Sequence, residues 1–522
     1  MSMPARPEWR SRYNPWLVAL VVTLAAFMEI LDTTIVNVSL PHIAGSMGAS
    51  TDEATWTLTS YLVANGIVLP ISAWLGSLFG RRRYFLICIA AFTLFSFLCG
   101  VASNLGELIL FRLLQGFFGG GLQPNQQAIL LDTFPASQRG RAMSVVAIAT
   151  VIAPVLGPTL GGVITDSASW RWVFLLNVPV GILCMIGVAA VVEDPPWAQR
   201  VARRIDGVGL GLIALGIGSL QVMLDRGEDA DWFASGFIQG AAVLAVIGLV
   251  GATIWLLVAR HPVVNMRTLK DRNFAVGCLM IAATMAVLYS SAVTLPVLAQ
   301  SVLGYTSTLA GYILSPGALA LLVMIPIVGK LMGMVQTRIL VCIGFLLLGA
   351  GLVYSQQLTP DIDFDTLMSI RIAQSLGLGF LFVPITTIAY TTLPPEQRAD
   401  AVALNVMFRN IAGSIGIALA TAMVTSGTQI RMAQLSAHLT PFDPGYVDLL
   451  HHDVRTLVAM GHSAQTATGM AMGRIYRSLT TQATILAYMD LFRWAAVVAF
   501  VTAPFALLFT GAKAAMRPSG GH

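Results

Sequence analysis

The stretch FRLLQGFFGGGLQPNQQAILLDTFPASQRGRAM, residues 111–143, has a second copy in the same chain: IRIAQSLGLGFLFVPITTIAYTTLPPEQRADAV, residues 370–402. Arg112, Gln115, Pro135, Gln138 and Arg139 recur as Arg371, Gln374, Pro394, Gln397 and Arg398, every pair 259 positions apart. Pro124 recurs as Pro384, slipped by one. Chance gives one such pair, but hardly five in a frame that runs from the start of an apolar segment to the loop after it. The chain therefore contains an internal duplication.

The surroundings of the two copies set the class. Of 522 residues 56% are hydrophobic and 11% charged, against about 25% charged in soluble domains. The mean hydropathy is +0.77. Apolar runs long enough to cross a hydrocarbon core of about 30 Å recur along the whole length. They are read as fourteen spans: 16–40, 54–75, 84–103, 107–131, 142–165, 172–192, 207–225, 235–259, 273–298, 307–330, 338–357, 366–390, 401–425 and 486–511. The duplication maps the fourth span onto the twelfth, eight spans later. Two six-helix halves alone would put the partner six spans later, so two further helices lie between them. The expected architecture is an all-α membrane protein arranged 6 + 2 + 6. A tail at 1–15 precedes a first half at 16–193; two inserted helices occupy 207–259; a second half follows at 273–511, and a tail at 512–522.

Charge placement gives the orientation. With the N-terminus inside, 20 of the 30 Lys and Arg residues fall on the inner side, among them Arg81–Arg83, Arg139, Arg141 and the 260–272 loop. The positive-inside rule then puts both termini in the cytoplasm. The first apolar run is longer than a signal-peptide core and no A-x-A site follows it, so it reads as a retained helix. Because the basic residues line the inner loops, the net charge of +5 speaks for membrane topology and not for nucleic acid. All five cysteines sit within apolar runs and read as small fillers. Residues 426–485 form one long outer connection, read as a solvated cap, in which 462–485 has the pattern of an amphipathic surface helix. It holds four of the seven histidines, His438, His451, His452 and His462, at spacings that match no metal site.

The chemistry lies inside the spans. In AAFMEILDTTIVNVSLP, residues 25–41, Glu29 and Asp32 are spaced i, i+3 and share one face of helix 1. An ionisable group at the bilayer centre costs about 2.5–3.5 kcal/mol even on the mild insertion scale, so such groups usually have partners and functions. Arg112 enters on helix 4 at a comparable depth and is the expected partner. A carboxylate there is pulled upward in pKa by desolvation and downward by the guanidinium, which suits proton uptake on one side and release on the other. The alternative is an ion pair that only fixes helices 1 and 4. Gln115, Gly119, Gln123 and Gln126 continue the polar face of helix 4, while GGG at 119–121 and Pro124 weaken its middle. Tyr61 and Asn65 in helix 2, and Asn405 and Arg409 in helix 13, stand at i, i+4 and could face the same cavity. In VIAPVLGPTLGG, residues 151–162, Pro154 and Pro158 flank Gly157, and Gly157 with Gly161 makes a G-x-x-x-G followed by Gly162, a pattern that admits a neighbouring helix at close range.

LDTTIVNVSLP, the RLLQG of helix 4 and APVLGPTLGG resemble three signatures of the fourteen-helix drug:proton antiporters (the DHA2 group) of the major facilitator superfamily. GIGSLQVMLDRGEDADWF at 216–233 and HPVVNMRTLKDRNFAVGC at 261–278 are more specifically similar to its EmrB-type permease branch, as is the long outer connection. The resemblance covers about residues 16 to 511. It implies the major facilitator fold and proton-driven export of small hydrophobic toxic compounds across the bacterial inner membrane. It further implies assembly with a periplasmic adaptor of the EmrA type and an outer-membrane channel of the TolC type. Carried onto this sequence, it implies proton coupling at Asp32, an arginine partner at Arg112 and an antiporter element at Gly157 and Pro158. One motif departs. The superfamily's helix 2–3 loop usually reads G-x-x-x-D-R-x-G-R; here AWLGSLFGRRR, residues 73–83, keeps Gly80 and Arg81 but has Ser77 and Leu78 in place of the acid and arginine.

The expectation is thus a proton-coupled antiporter, with the proton as coupling ion and no cofactor or metal. Two rivals remain: the same machine dedicated to one natural substrate, such as an aromatic acid, a fatty acid or a siderophore, or a non-transporting membrane sensor. An enzyme is not expected, since no phosphate-binding loop, metal cluster or nucleophile constellation is found.

Overall fold

The computed structural model describes residues 12–135, 138–194, 206–260, 262–394, 397–437 and 439–510, with no β-strand among them. The first bundle comprises α1 (Pro15–Met47), α2 (Thr51–Phe79), α3 (Arg81–Val101), α4 (Leu105–Gly119), α5 (Leu122–Thr133), α6 (Arg139–Ser167), α7 (Arg171–Leu175) and α8 (Asn177–Val191). Two helices follow, α9 (Gly207–Arg226) and α10 (Gly236–Val258). The second bundle comprises α11 (Arg272–Ser301), α12 (Ser307–Leu331), α13 (Thr337–Tyr354), α14 (Phe364–Gly379), α15 (Phe382–Ala389), α16 (Arg398–Ser436), α17 (Pro444–Ala459) and α18 (Ala464–Thr502).

Among the described residues thirteen helices are long and apolar enough to cross a membrane. The chain is a multi-pass membrane protein. The 29-residue α6 covers the range in which the sequence reading puts its fifth span. Side chains such as Leu183, Val246 and Val258 are 64%, 61% and 75% exposed, as expected of surfaces facing lipid. Lipid is as apolar as leucine, so helix association here rests on close packing and polar contacts.

Local sequence explains the ends and breaks. Ser50 and Glu53 close a reciprocal cap on α2. The helix of span 4 is interrupted at Gly120–Gly121, where Pro124 has no N–H to offer the Gly120 carbonyl. The second copy is interrupted at Phe380–Leu381, ahead of Pro384, for the same reason. Pro179 likewise separates α7 from α8.

The duplication extends to packing. In the first bundle α1 packs on α6, α2 on α4 and α3 on α8; in the second, α11 packs on α16, α12 on α14 and α13 on α18. The bundles meet where α6 touches α12 and α2 touches α16, and α9 rests on both α2 and α16.

One expectation needs correction. The 426–485 connection is mostly helix: α16 runs on to Ser436, α17 is a separate helix, and α18 begins at Ala464 and continues without a break into the last span. Residues 462–485 are therefore not a separate surface helix. Neither α16 nor α18 contains a proline, so nothing stops the helices at the membrane boundary, and polarity alone does not. Arg431 of the α16 extension pairs at 2.7 Å with Asp490 of α18, within the range read as the last span. The apolar side of α17 seats Leu457 against Ala467 and Ala471 of α18.

Candidate functional site

Helix 1 brings its two carboxylates into the protein interior, Glu29 at 1% and Asp32 at 0% exposure. Asp32 is the hub of the first cluster. Its Oδ2 accepts from Arg112 Nη1 at 2.5 Å, and its Oδ1 accepts from Gln115 Nε2 at 3.2 Å and from Asn177 Nδ2 at 2.7 Å. Arg112 also donates to Gln115 Oε1 at 3.0 Å and, through Nε, to the Thr57 carbonyl at 3.2 Å. The Tyr61 ring lies 4.1 Å from the guanidinium carbon and the Phe174 ring 5.5 Å. Asn177 donates in turn to Ser96, which donates to the Phe174 carbonyl. The pair is thus hydrogen-bonded on several sides, the condition under which a buried ion pair is tolerated.

Glu29, one turn earlier, belongs to a second chain of contacts. Its Oε1 accepts from Asn65 at 2.9 Å and from the Tyr61 hydroxyl at 3.5 Å, and its Oε2 accepts from Gln123 at 2.5 Å. The same Gln123 amide accepts from Arg409 Nη2 on α16. One glutamine therefore joins a carboxylate of the first bundle to a guanidinium of the second. Tyr61 touches both clusters.

The second bundle repeats the frame of the first cluster without its carboxylate. Arg371, 1% exposed, donates to Ser291 Oγ at 3.0 Å and to Gln374 Oε1 at 3.3 Å. Gln374 Nε2 donates to Ser355 at 2.9 Å, and Ser291 donates to Gln374 Oε1 at 2.5 Å. Ser291 stands 259 positions after Asp32, and Ser355 259 after Ser96. Where the first bundle has a carboxylate, the second has a hydroxyl.

Other residues singled out from sequence fall outside these clusters. Gln126 donates to Thr23 at 3.0 Å. Asn405, one turn from Arg409, faces Cys278 at 3.8 Å instead of the Glu29 chain. A Cβ on Gly157 would strike the Thr34 side chain, and one on Gly161 would lie 2.5 Å from the Ile35 carbonyl oxygen, so α6 lies directly on the helix 1 backbone three residues from Asp32. Gly162 is buried; the side chains of Pro154 and Pro158, and all of His438, lie outside the described residues. Gly80 takes a left-handed φ of 88° between α2 and α3, and Arg81 pairs with Asp132 at the end of α5. An acid from span 4 thus meets the loop arginine, while Ser77 merely caps back onto the Trp74 carbonyl. His451, His452 and His462 are exposed.

Sequence reasoning missed Asn177, Ser96, Thr57 and Asp132. A lone Asn or Ser in an apolar span has no spacing to betray it. The signal for Ser291 was present: carrying the 259-residue frame back to helix 1 lands on it.

The family model of the Major Facilitator Superfamily matches residues 22–417. The multidrug export protein EmrB of Escherichia coli (strain K12) is 35% identical over 477 residues, covering 91% of each chain. The fatty acid resistance protein FarB of Neisseria gonorrhoeae is 34% identical, covering 97% of each chain. A solved structure of a bacterial homologue of the human lysosomal transporter Spinster, inward-facing and unoccupied, superposes with a TM-score of 0.55 at 15% identity, over 98% of this chain and 100% of that one. That last likeness concerns the fold.

Proposed function

Because the chain belongs to the major facilitator superfamily, a family of transporters, we propose that it is a proton-coupled multidrug exporter working by alternating access. The observation that carries this reading is the pair of buried networks on helix 1. Asp32 faces Arg112 within the first bundle, and Glu29 reaches Arg409 across the bundle interface through Gln123. Protonating Asp32 removes the charge that holds Arg112. Protonating Glu29 turns its carboxyl into a donor, which competes with Arg409 for the Gln123 oxygen and loosens the tie between bundles. A proton arriving from outside thus acts on the contacts that must rearrange if the bundles are to rock. Each inward proton brings about 2.3 kcal/mol per 100 mV. Expelling a compound against a tenfold gradient needs about 1.4 kcal/mol.

In this reading the fourteen spans stand 6 + 2 + 6, with α6 as the fifth span, both termini cytoplasmic and the protein in the bacterial inner membrane. The EmrB relative, named a multidrug export protein, favours a broad range of hydrophobic substrates. The FarB relative, named for fatty acid resistance, supports the narrower alternative of one anionic natural substrate. The helical extensions around α17 are assigned to docking an EmrA-type periplasmic adaptor, which passes substrate to a TolC-type channel. Replacing residues 437–463 by a short Gly/Ser linker should abolish co-purification of that adaptor while drug binding in detergent persists; retained co-purification would place docking elsewhere.

The export reading is tested with purified protein in liposomes. An imposed pH gradient should drive ethidium uphill, and a protonophore should stop it. Ethidium movement indifferent to collapse of the gradient would overturn proton coupling.

A further inference from the structure

Five charged side chains are buried among the described residues: Glu29, Asp32, Arg112, Arg371 and Arg409. Two carboxylates answer two of the three guanidinium groups, Asp32 by direct contact with Arg112 and Glu29 through Gln123 with Arg409. Arg371 makes no ion pair among the described residues. An unanswered charge at membrane depth is expensive, so its persistence needs an explanation.

The duplication shows what is missing. A shift of 259 positions takes Arg112 to Arg371, Gln115 to Gln374, Ser96 to Ser355 and Asp32 to Ser291. Arg112 and Arg409 also each bury one nitrogen without a partner, but Arg112 has a carboxylate and the Thr57 carbonyl as acceptors, and neither has a counterpart at Arg371. The carboxylate has become a hydroxyl, and no carbonyl takes the part of Thr57, so Arg371 Nε is buried without a partner. A donor has also been added: Gly116 corresponds to Ser375, whose hydroxyl is buried and unpartnered. The second cluster therefore has an acid fewer and two hydroxyls more than the first. Around its single positive charge stand hydroxyls and one amide carbonyl, that of Gln374, and no carboxylate.

We propose that Arg371, Ser291 and Ser375 recognise the carboxylate of an exported organic anion, which takes in the second bundle the place that Asp32 holds in the first. The two oxygens of a carboxylate match the fork of a guanidinium, and one negative charge balances the one uncompensated arginine. Access is through α12. Gly317 of that helix lies against Arg371 and Ser375, while Gly311 lies against Thr159 of α6 in the first bundle. The helix that covers the cluster is one that both bundles hold, so relative motion of the bundles shifts the cover.

The proposal rests on the efflux reading for its meaning, but its test needs no transport. Equilibrium binding of laurate and of its uncharged amide is measured on the full-length protein in nanodiscs without a gradient. Wild type should prefer the carboxylate by about tenfold or more. Ser291→Asp, which supplies an internal carboxylate, should erase that preference, whereas Ser291→Ala, which removes one donor, should weaken laurate and still leave the acid preferred over the amide. Ser375→Ala, a milder change that guards against misfolding of the Asp variant, should weaken laurate and leave the amide unaffected. The proposal is overturned if wild type does not distinguish acid from amide, or if the Ala and Asp variants at 291 behave alike. Chloride binding as tight as laurate would reduce the cluster to a halide site and also overturn it. Failure here leaves gradient-driven export of ethidium untouched, and failure of that export leaves the binding result standing.

Discussion

The two bundles hold the same buried frame and use it differently. Each has an arginine on the span that breaks in mid-membrane, a glutamine three residues on that braces it, and a serine from the neighbouring helix behind (Ser96, Ser355). In the first bundle the arginine meets Asp32; in the second it meets Ser291. The frame is what duplication supplied, and it positions helix 4 and its copy alike. The chief difference upon that frame is the exchange of Asp32 for Ser291: we assign the proton to the first bundle's carboxylate, and an anion to the second bundle's arginine, which has no carboxylate beside it.

The largest expected effect separates the two arginines. Asp32→Ser makes the first cluster like the second and strands Arg112, already ringed by Tyr61 and Phe174. Breaking one partner of a buried pair costs about 3–5 kcal/mol, so thermal unfolding in detergent should fall sharply. Arg371→Met should be far milder, because Ser291, Gln374 and Ser355 still satisfy one another after the guanidinium is gone. Equal losses in the two variants would break the comparison.

A smaller effect should show where the bundles remain equivalent. Gly157 and Gly416 are 259 positions apart, and each presses on the first helix of its own bundle, Gly157 on Thr34 and Gly416 on the backbone at Ala286. Overpacking costs about 1–3 kcal/mol, and backbone yields less readily than a side chain. Gly416→Ala should therefore destabilise somewhat more than Gly157→Ala, with both variants impaired in transport whatever the compound. Full activity of either in liposomes would show that its close approach is dispensable.

Much of this was legible in the sequence because membrane solvent leaves a strong mark. Lipid demands long apolar runs, so most spans could be delimited, and the glycines with Pro124 announced the break that α4 and α5 display. The spacing of Glu29 and Asp32 was sufficient to put both on one buried face. The cross-bundle contact of Gln123 with Arg409 was not legible, since a glutamine 286 positions from its partner carries no local trace of it. Asn177 was hidden for a similar reason: its role is set by where helix packing carries it. The 426–485 region misled because polar composition was taken for loop, whereas helices continue into water wherever no proline or cap stops them. Ser291 was hidden by its ordinariness, for a serine in an apolar span draws notice only when its repeat partner is an aspartate.

The central claim is that Asp32, the acid that pairs directly with Arg112, carries the coupled proton. Its most direct test compares two modes of transport by Asp32→Asn in liposomes: ethidium accumulation driven by a pH gradient, and ethidium exchange at equilibrium with no gradient. The amide keeps the size and the hydrogen-bonding reach of the side chain but cannot cycle a proton. The account predicts that gradient-driven accumulation falls to background while equilibrium exchange continues. Uphill accumulation at the wild-type level by the Asn variant would contradict it.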